Sequence, residues 1–321
     1  MKVSRAGPSP CWNGRNHEQE PTSEPAQGGQ GPSQATGPSA ASDRAAAAAR
    51  AVARRALGPV PKGTGSSSGT GLGGEQVEGV HAVRELLLAG RRRTHEMLVS
   101  TERDGAGELA DIRELAAQYS VSVQEVGRSK LASVARTSAP QGVVARAAPL
   151  PEESLDDLLP PDAPSQQPAP FLLACDGITD PGNLGALLRT AECAGVTGVV
   201  LPRHRAVHVT PAVTKAAAGA VEHLRFAVVG GLPAALKQVT ERGALTVGLD
   251  MGGSVSIHDL PPVDGPVVVV VGAEGRGLGR LAGERCDVVA SVPMAGAVES
   301  LNVSVAGALA LYEVVRRRTA R

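Results

Sequence analysis

Aromatic side chains are almost missing from this chain: one Trp, two Tyr and two Phe in 321 residues. That scarcity excludes a nucleic-acid binder built on stacking bases against aromatic faces. Cysteine is also scarce. Cys11, Cys175, Cys193 and Cys286 form no CxxC pair, so no metal site is expected, and they read as buried free thiols of a reducing compartment. No apolar run approaches the ~20 residues that span a bilayer, and the N-terminus has no apolar signal core. No membrane partner is expected, and a cytoplasmic location is. Net charge is missing as well, with 32 basic against 32 acidic residues. An overall charge of zero neither excludes RNA nor argues strongly for it.

What is present is unevenly spread. Residues 1–73 hold 12 Gly, 8 Pro, and 8 Lys/Arg against 4 Asp/Glu, the composition of a disordered basic tail. Within it Asp43–Leu57 has the pattern of a short helix, either a phosphate-binding arm or a solvated Ala-rich segment. Lys62–Gly74 reads as a flexible linker. Residues 75–147 carry the spacing of a small α/β domain. Val80, Val83 and Leu87 mark a helix ended by Gly90, Leu109, Ile112, Leu115 and Ala116 mark a second, and Val121, Val123 and Val126 alternate as a strand. Arg91, Arg92 and Arg93 fall between helix and strand, as phosphate contacts or as a solvated loop. Residues 148–170 hold seven prolines and no base and read as an extended acidic connector with one turn of helix near Leu155–Leu159.

From Phe171 on, strand and helix patterns alternate. Strands are expected at 171–175, 198–201, 225–229, 245–249, 267–271 and 288–292. Helices are expected at 183–194, 211–219, 232–241, 279–284 and 301–318. Such alternation predicts a parallel sheet with helices on both faces, and the ligand sites of such sheets lie at the carboxyl ends of strands. Two of the strands, 267–271 and 288–292, empty into loops rich in Gly and small polar residues.

Three stretches carry chemistry. GAEGRGL (Gly272–Leu278) has GxxGxG spacing, which is neither the dinucleotide fingerprint GxGxxG nor a phosphate-cradling P-loop. Its glycines permit positive φ or close approach, and Glu274 places a carboxylate where a hydroxyl or ribose can be held. DGITDPGNLGALLRTAECAG (Asp176–Gly195) reads as a turn at Pro181–Gly182, a helix capped by Asn183, and an Arg189 off the buried face. PMAGAVESLNVSVAGALALYEVVRRR (Pro293–Arg318) puts Ser300, Asn302 and Ser304 at a helix start, where they can cap the helix or bind substrate oxygens.

Together these stretches resemble the SpoU branch of the SPOUT RNA methyltransferases, the TrmH-like ribose 2′-O-methyltransferases. DPGNLGALLRTAECAG, VVVVVGAEGRGL and VPMAGAVESLNVSVAGALALYEVVR carry the resemblance, densely over 171–318 and more loosely over 75–147. It implies a SPOUT-type α/β fold, in which a trefoil-knotted parallel sheet domain (171–321) follows a small N-terminal α/β substrate-binding domain. It also implies S-adenosyl-L-methionine as cofactor and a homodimer that completes the active site. Gly272, Val292, Met294 and Leu301 would line the cofactor site, and Asn183, Arg189, Glu274, Ser300 and Asn302 would form the catalytic and ribose-binding set. Where many members carry His before Gln-Gly in the small domain, this chain has Pro140. The layout is similar to methylases of guanosine in large-subunit (23S) rRNA; a tRNA guanosine methylase and a non-catalytic RNA-binding or ribosome-assembly protein of the same fold are the alternatives.

Overall fold

Valines set the frame of the larger sheet. In the computed structural model, which describes residues 71–102, 106–204 and 208–320, Val267–Val271 is a strand whose five side chains are all at most 1% exposed. β-Branched residues favour extended backbone. Burial of each valine contributes about 1.5–3 kcal/mol before chain entropy is counted. The expected Asp43–Leu57 helix lies outside the described residues.

The chain first builds a small sheet. Its elements are β1 (Gln76–Glu78), α1 (Val80–Ala89), β2 (Thr94–Ser100), α2 (Ala106–Gln118), β3 (Ser122–Val126), α3 (Arg128–Val134) and β4 (Val143–Ala147). The spatial order is β1-β4-β2-β3, with β2 and β3 parallel and the other pairs antiparallel. Val80, Val83 and Leu87 are buried along α1, and Gly90 ends that helix at φ 56°, the left-handed conformation that favours glycine.

The larger sheet follows: β5 (Glu152–Glu153), α4 (Leu155–Leu158), β6 (Phe171–Cys175), α5 (Pro181–Cys193), β7 (Gly198–Pro202), α6 (Pro211–Ala216), β8 (Phe226–Val229), α7 (Leu232–Glu241), β9 (Leu245–Leu249), β10 (Val255–Ser256), β11 (Val267–Val271), α8 (Arg280–Gly283), β12 (Val288–Ser291) and α9 (Val303–Thr319). Its eight strands run in the order β10-β12-β9-β11-β6-β7-β8-β5, and every pairing is parallel. Period-two alternation sends Val267, Val269 and Val271 into one core with Leu184, Leu187 and Leu188 of α5 and Leu311 and Val314 of α9. Val268 and Val270 enter a second core with Leu232, Leu236 and Val239 of α7. Helices cover both faces, as the alternation predicted.

Three local readings change. Residues 148–170 are not simply extended. β5 adds to the edge beside β8, Ser154 and Asp157 form a capping box on α4, and Leu155, Leu158 and Leu159 are buried. These leucines outweigh the surrounding prolines because they have an apolar face to cover. The end of the expected flexible linker is held too. Leu72 is buried, its N–H donates to Glu152 Oε1 at 2.7 Å, and Gly73 bridges Val209.

The third change concerns the arginine run. Arg92 is neither a phosphate contact nor a solvated residue: its side chain is 3% exposed and paired with Glu222. Arg91 donates to the Leu224 carbonyl at 2.7 Å and stands 3.6 Å from Glu153, with its pKa pushed down chiefly by burial. Arg93 is exposed.

Candidate active site

Strands β9, β11 and β12 deliver their carboxyl ends to one cavity of about 440 Å³, within the range of roughly 300–1,000 Å³ usual for small-molecule sites. Leu249 and Val271 form part of its apolar wall. The glycine loop after β11 forms another side. Ala273 and Gly277 exchange backbone hydrogen bonds at 3.0 and 2.9 Å, which folds Glu274, Gly275 and Arg276 into a tight turn. Gly275 and Gly277 take φ of 75° and 63°. Gly272 needs no positive φ. Its requirement is closeness, because a Cβ there would stand 2.2 Å from the Gly277 carbonyl carbon and oxygen.

All four expected cofactor residues, Gly272, Val292, Met294 and Leu301, line this cavity, together with Glu274, Ser300 and Asn302. Asn183 reaches the same place from α5. The polarity of the connecting chain is fixed at one end by a backbone donor. Ser304 N–H donates to Asn302 Oδ1 at 2.9 Å, and the Ser304 hydroxyl donates to the same oxygen at 2.6 Å. Asn302 Nδ2 is therefore the free donor, and it donates to Asn183 Oδ1 at 2.8 Å. Asn183 Nδ2 in turn donates to Glu274 Oε2 at 2.9 Å. One polar chain thus ties the starts of two helices to the glycine loop. Among the described residues Glu274 Oε1 has no partner, so an acceptor is left for a hydroxyl.

The helix starts explain how these side chains come free. α5 is capped by Asp180, whose Oδ1 accepts from Asn183 N at 2.7 Å. Pro181 and Gly182 are its first helical residues rather than a separate turn, and Asn183 is released from the expected capping role. α9 begins at Val303, two residues later than the spacing predicted, and Asn302 is its cap. Asn302 combines both readings, since Oδ1 caps and Nδ2 reaches across. Ser300 sits in the preceding exposed loop.

Arg189 stands apart. It is exposed on α5 and is absent from the cavity wall. Six residues separate it from Asn183, which at roughly 3.6 residues per turn points the two about 120° apart. Asp250 and Asp176 are residues that sequence reasoning passed over. Asp250 lines the cavity and accepts from Gly252 N at 2.9 Å and Leu278 N at 3.2 Å. Asp176 accepts from Gly279 N at 2.7 Å. The available signal was position, since each is the first residue after an apolar strand run.

Among the thiols, Cys175 is buried and burial pushes its pKa up to about 12; Cys286, partly buried, is also pushed up to about 12. Cys193 is exposed, against expectation, because it closes the last turn of α5 on the outer side. Cys11 lies outside the described residues. Among the described residues no group of three or more His, Cys, Asp or Glu is placed to hold a metal ion, and no helix is long and apolar enough to cross a membrane.

Sequence comparison gives this geometry a family. Residues 170–312 match the profile of the SpoU rRNA Methylase family, and residues 76–153 match that for RNA 2′-O ribose methyltransferase substrate binding. YacO of Bacillus subtilis, a TrmH family tRNA/rRNA methyltransferase by name, is 40% identical over 246 residues, covering 76% of this chain and 96% of YacO. The chain belongs to the SpoU family of methyltransferases. A SpoU relative from Shewanella oneidensis, the 23S rRNA (guanosine-2′-O-)-methyltransferase RlmB, is 39% identical over 75% of this chain and 96% of its own length. The crystal structure of the SpoU methyltransferase AviRb from Streptomyces viridochromogenes, in complex with AdoMet, superposes with a TM-score of 0.63. It is 25% identical, over 77% of this chain and 91% of that one. The small sheet falls in the part matched as substrate-binding, and the cavity falls in the part matched as SpoU.

Proposed function

We propose that this protein methylates the 2′-oxygen of a guanosine ribose in 23S rRNA, using S-adenosyl-L-methionine. The observation that carries the proposal is the Ser304–Asn302–Asn183–Glu274 chain at the rim of a cavity built by three strand ends. The RlmB relatives supply the choice of RNA and nucleotide.

The residues fit the cofactor. Gly272 and the loop it closes on offer backbone rather than side chains, which lets an adenosine approach closely. Leu249, Val271, Val292, Met294 and Leu301 give an apolar wall. When bound, the cofactor supplies a sulfonium methyl already activated for transfer. The protein's part is then to align the ribose hydroxyl, and alignment is worth roughly 7–11 kcal/mol in favourable cases. Glu274 accepts from that hydroxyl through its free oxygen, and Asn183 holds the carboxylate in place. Asn302 holds Asn183. Ser300, in the loop at the rim, adds a hydroxyl for substrate oxygens. Arg189 holds the adjacent phosphate, because the planar fork of a guanidinium matches two phosphate oxygens.

We further propose that the active protein is a homodimer with a trefoil-knotted catalytic domain, residues 75–147 forming the RNA-binding domain, and that it works in the cytoplasm. α9 supports the dimer. It turns Val303, Gly307, Leu311 and Val314 inward but leaves Val305, Leu309 and Tyr312 between 43 and 48% exposed, an apolar stripe at i, i+4 and i+7. A second copy covering this stripe would also give Arg189, which is exposed and absent from the wall of its own cavity, a second cavity to serve.

The test is transfer of tritium from methyl-labelled S-adenosyl-L-methionine to purified RNA. Label is expected in 23S rRNA. Label in tRNA alone would move the substrate assignment, and label in neither RNA would favour a binding protein of the same fold.

A further inference from the structure

The small sheet is tied to the larger one at three separated places. At the first, Arg92 donates to both oxygens of Glu222, at 2.5 and 2.9 Å. The same guanidinium donates to the carbonyls of Gly74 at 2.6 Å and Ala148 at 2.5 Å. Gly74 is where the chain enters the small sheet, and Ala148 is where it leaves. One side chain therefore gathers entry, exit and the neighbouring domain. Glu222 is 1% exposed, so the pair is desolvated on both sides. At the second place, Gly219 lies against α1 so closely that a Cβ would stand 2.6 Å from Glu85 Cβ, and His223 Nε2 is 2.9 Å from Glu85 Oε2. At the third, Lys215 Nζ donates to the Ala139 carbonyl, in the loop containing Pro140. Gln141 pins that loop by accepting from Val80 N–H.

Three separated contacts fix rotation as well as position. Lys215 also belongs to α6, which packs on α5 at Gly185, where a Cβ would come within 2.4 Å of Ala216 Cβ. α5 carries Asn183. The interface thus continues through two helices to the polar chain at the cavity.

We propose that Arg92 and Glu222 are positioning residues: they hold the RNA-binding domain at one fixed orientation and distance from the methyl-transfer cavity. RNA selection then depends on a fixed span, because an RNA must present a recognition element and the target ribose that far apart. This rests on the RNA methylation reading above. The chemistry suits the role. Burying an ion pair carries a desolvation cost that offsets most of its attraction, so it gives little stability beyond an apolar contact, but its planar geometry imposes a single register.

Removing one partner would leave a buried charge and threaten folding, so the test removes both. R92M/E222M keeps similar volume and removes both charges, but it also takes the donor from the Gly74 and Ala148 carbonyls, so cooperative thermal unfolding of the variant is checked first. Spin labels are placed on exposed Glu114→Cys and Lys237→Cys, with Cys11, Cys193 and Cys286 replaced by serine. The parent is expected to give one narrow interdomain distance, and R92M/E222M a broad distribution. In methyl transfer the variant's KM for rRNA is expected to rise about tenfold or more, as preorganisation is lost. The Kd for S-adenosyl-L-methionine is expected to stay within about twofold, since these residues lie outside the cavity. A broad distance in the parent, a narrow one in R92M/E222M, or an unchanged KM would each overturn the proposal. If the parent transfers no methyl group to any RNA, the methylation reading fails, and the distance measurement still decides whether the lock exists.

Discussion

Gly272→Ala puts a methyl group where the glycine loop closes on itself. The new Cβ would stand 2.2 Å from Gly277 C and O and 2.5 Å from Leu278 N. All three are backbone atoms, so no rotamer change relieves the contact. Cβ contacts below 3.0 Å essentially do not occur, so the two segments must part by at least 3.0 − 2.2 = 0.8 Å. Overpacking of this kind costs about 1–3 kcal/mol, or a few degrees in Tm for a domain of this size. The displaced segment is also the cavity wall. A misplacement near 1 Å can cost about 100-fold in a positioned reaction. Titration calorimetry should show S-adenosyl-L-methionine binding weakened by roughly one to two orders of magnitude, in a protein that still unfolds cooperatively. Gly275→Ala is the control: its φ is 75°, but the added methyl would meet nothing within 4 Å. It should cost only the left-handed strain of about 1–2 kcal/mol and bind the cofactor nearly normally. Equal binding by Gly272→Ala and the wild type would refute the reasoning that close approach at Gly272 shapes the site.

Other perturbations separate the roles of neighbouring residues. Asn302→Ala removes the α9 cap, worth about 0.5–2 kcal/mol, and also the support of Asn183; thermal denaturation should show the first loss and kcat for methyl transfer the second, whereas Asn302→Asp should keep the cap and still lower kcat. Arg189→Ala should abolish methyl transfer and leave cofactor binding intact; weakened cofactor binding in a folded protein would sink its assignment to the RNA phosphate. Glu313 is paired with Arg316, which holds its carboxyl down at about 2 from an ordinary 4.5, with Arg317 as a second partner. A depressed carboxyl contributes stability that is complete above the ordinary value and lost as pH falls through the folded one. The stability difference between wild type and Glu313→Gln, read from urea denaturation, should therefore be constant above pH 4.5 and shrink toward pH 2.

Local signals were legible in the sequence, and long-range ones were not. The valine run of β11 needed only its β-branched side chains to declare a buried strand. α1 could be read to its end because Gly90 marks it. Glu274, Ser300 and Asn302 stood out because they lie in loops that follow apolar strand runs; their grouping into one set came from the family resemblance, and the structure puts all three on one cavity. The link from Asn183 to Glu274 spans 91 residues and that from Asn302 to Asn183 spans 119, so no spacing rule reveals them. Arg92 failed for the same reason: its partner Glu222 is 130 residues away, and a run of arginines looks wet until that partner is known. β5 was missed because two glutamates carry no strand signal of their own; they pair only because β8 offers an edge.

The most direct measurement is nucleoside mass spectrometry of 23S rRNA after reaction with the purified protein and S-adenosyl-L-methionine. A gain of 2′-O-methylguanosine is predicted, absent with Arg189→Ala. Methylation on a base, or on a ribose other than guanosine, would contradict the proposed reaction.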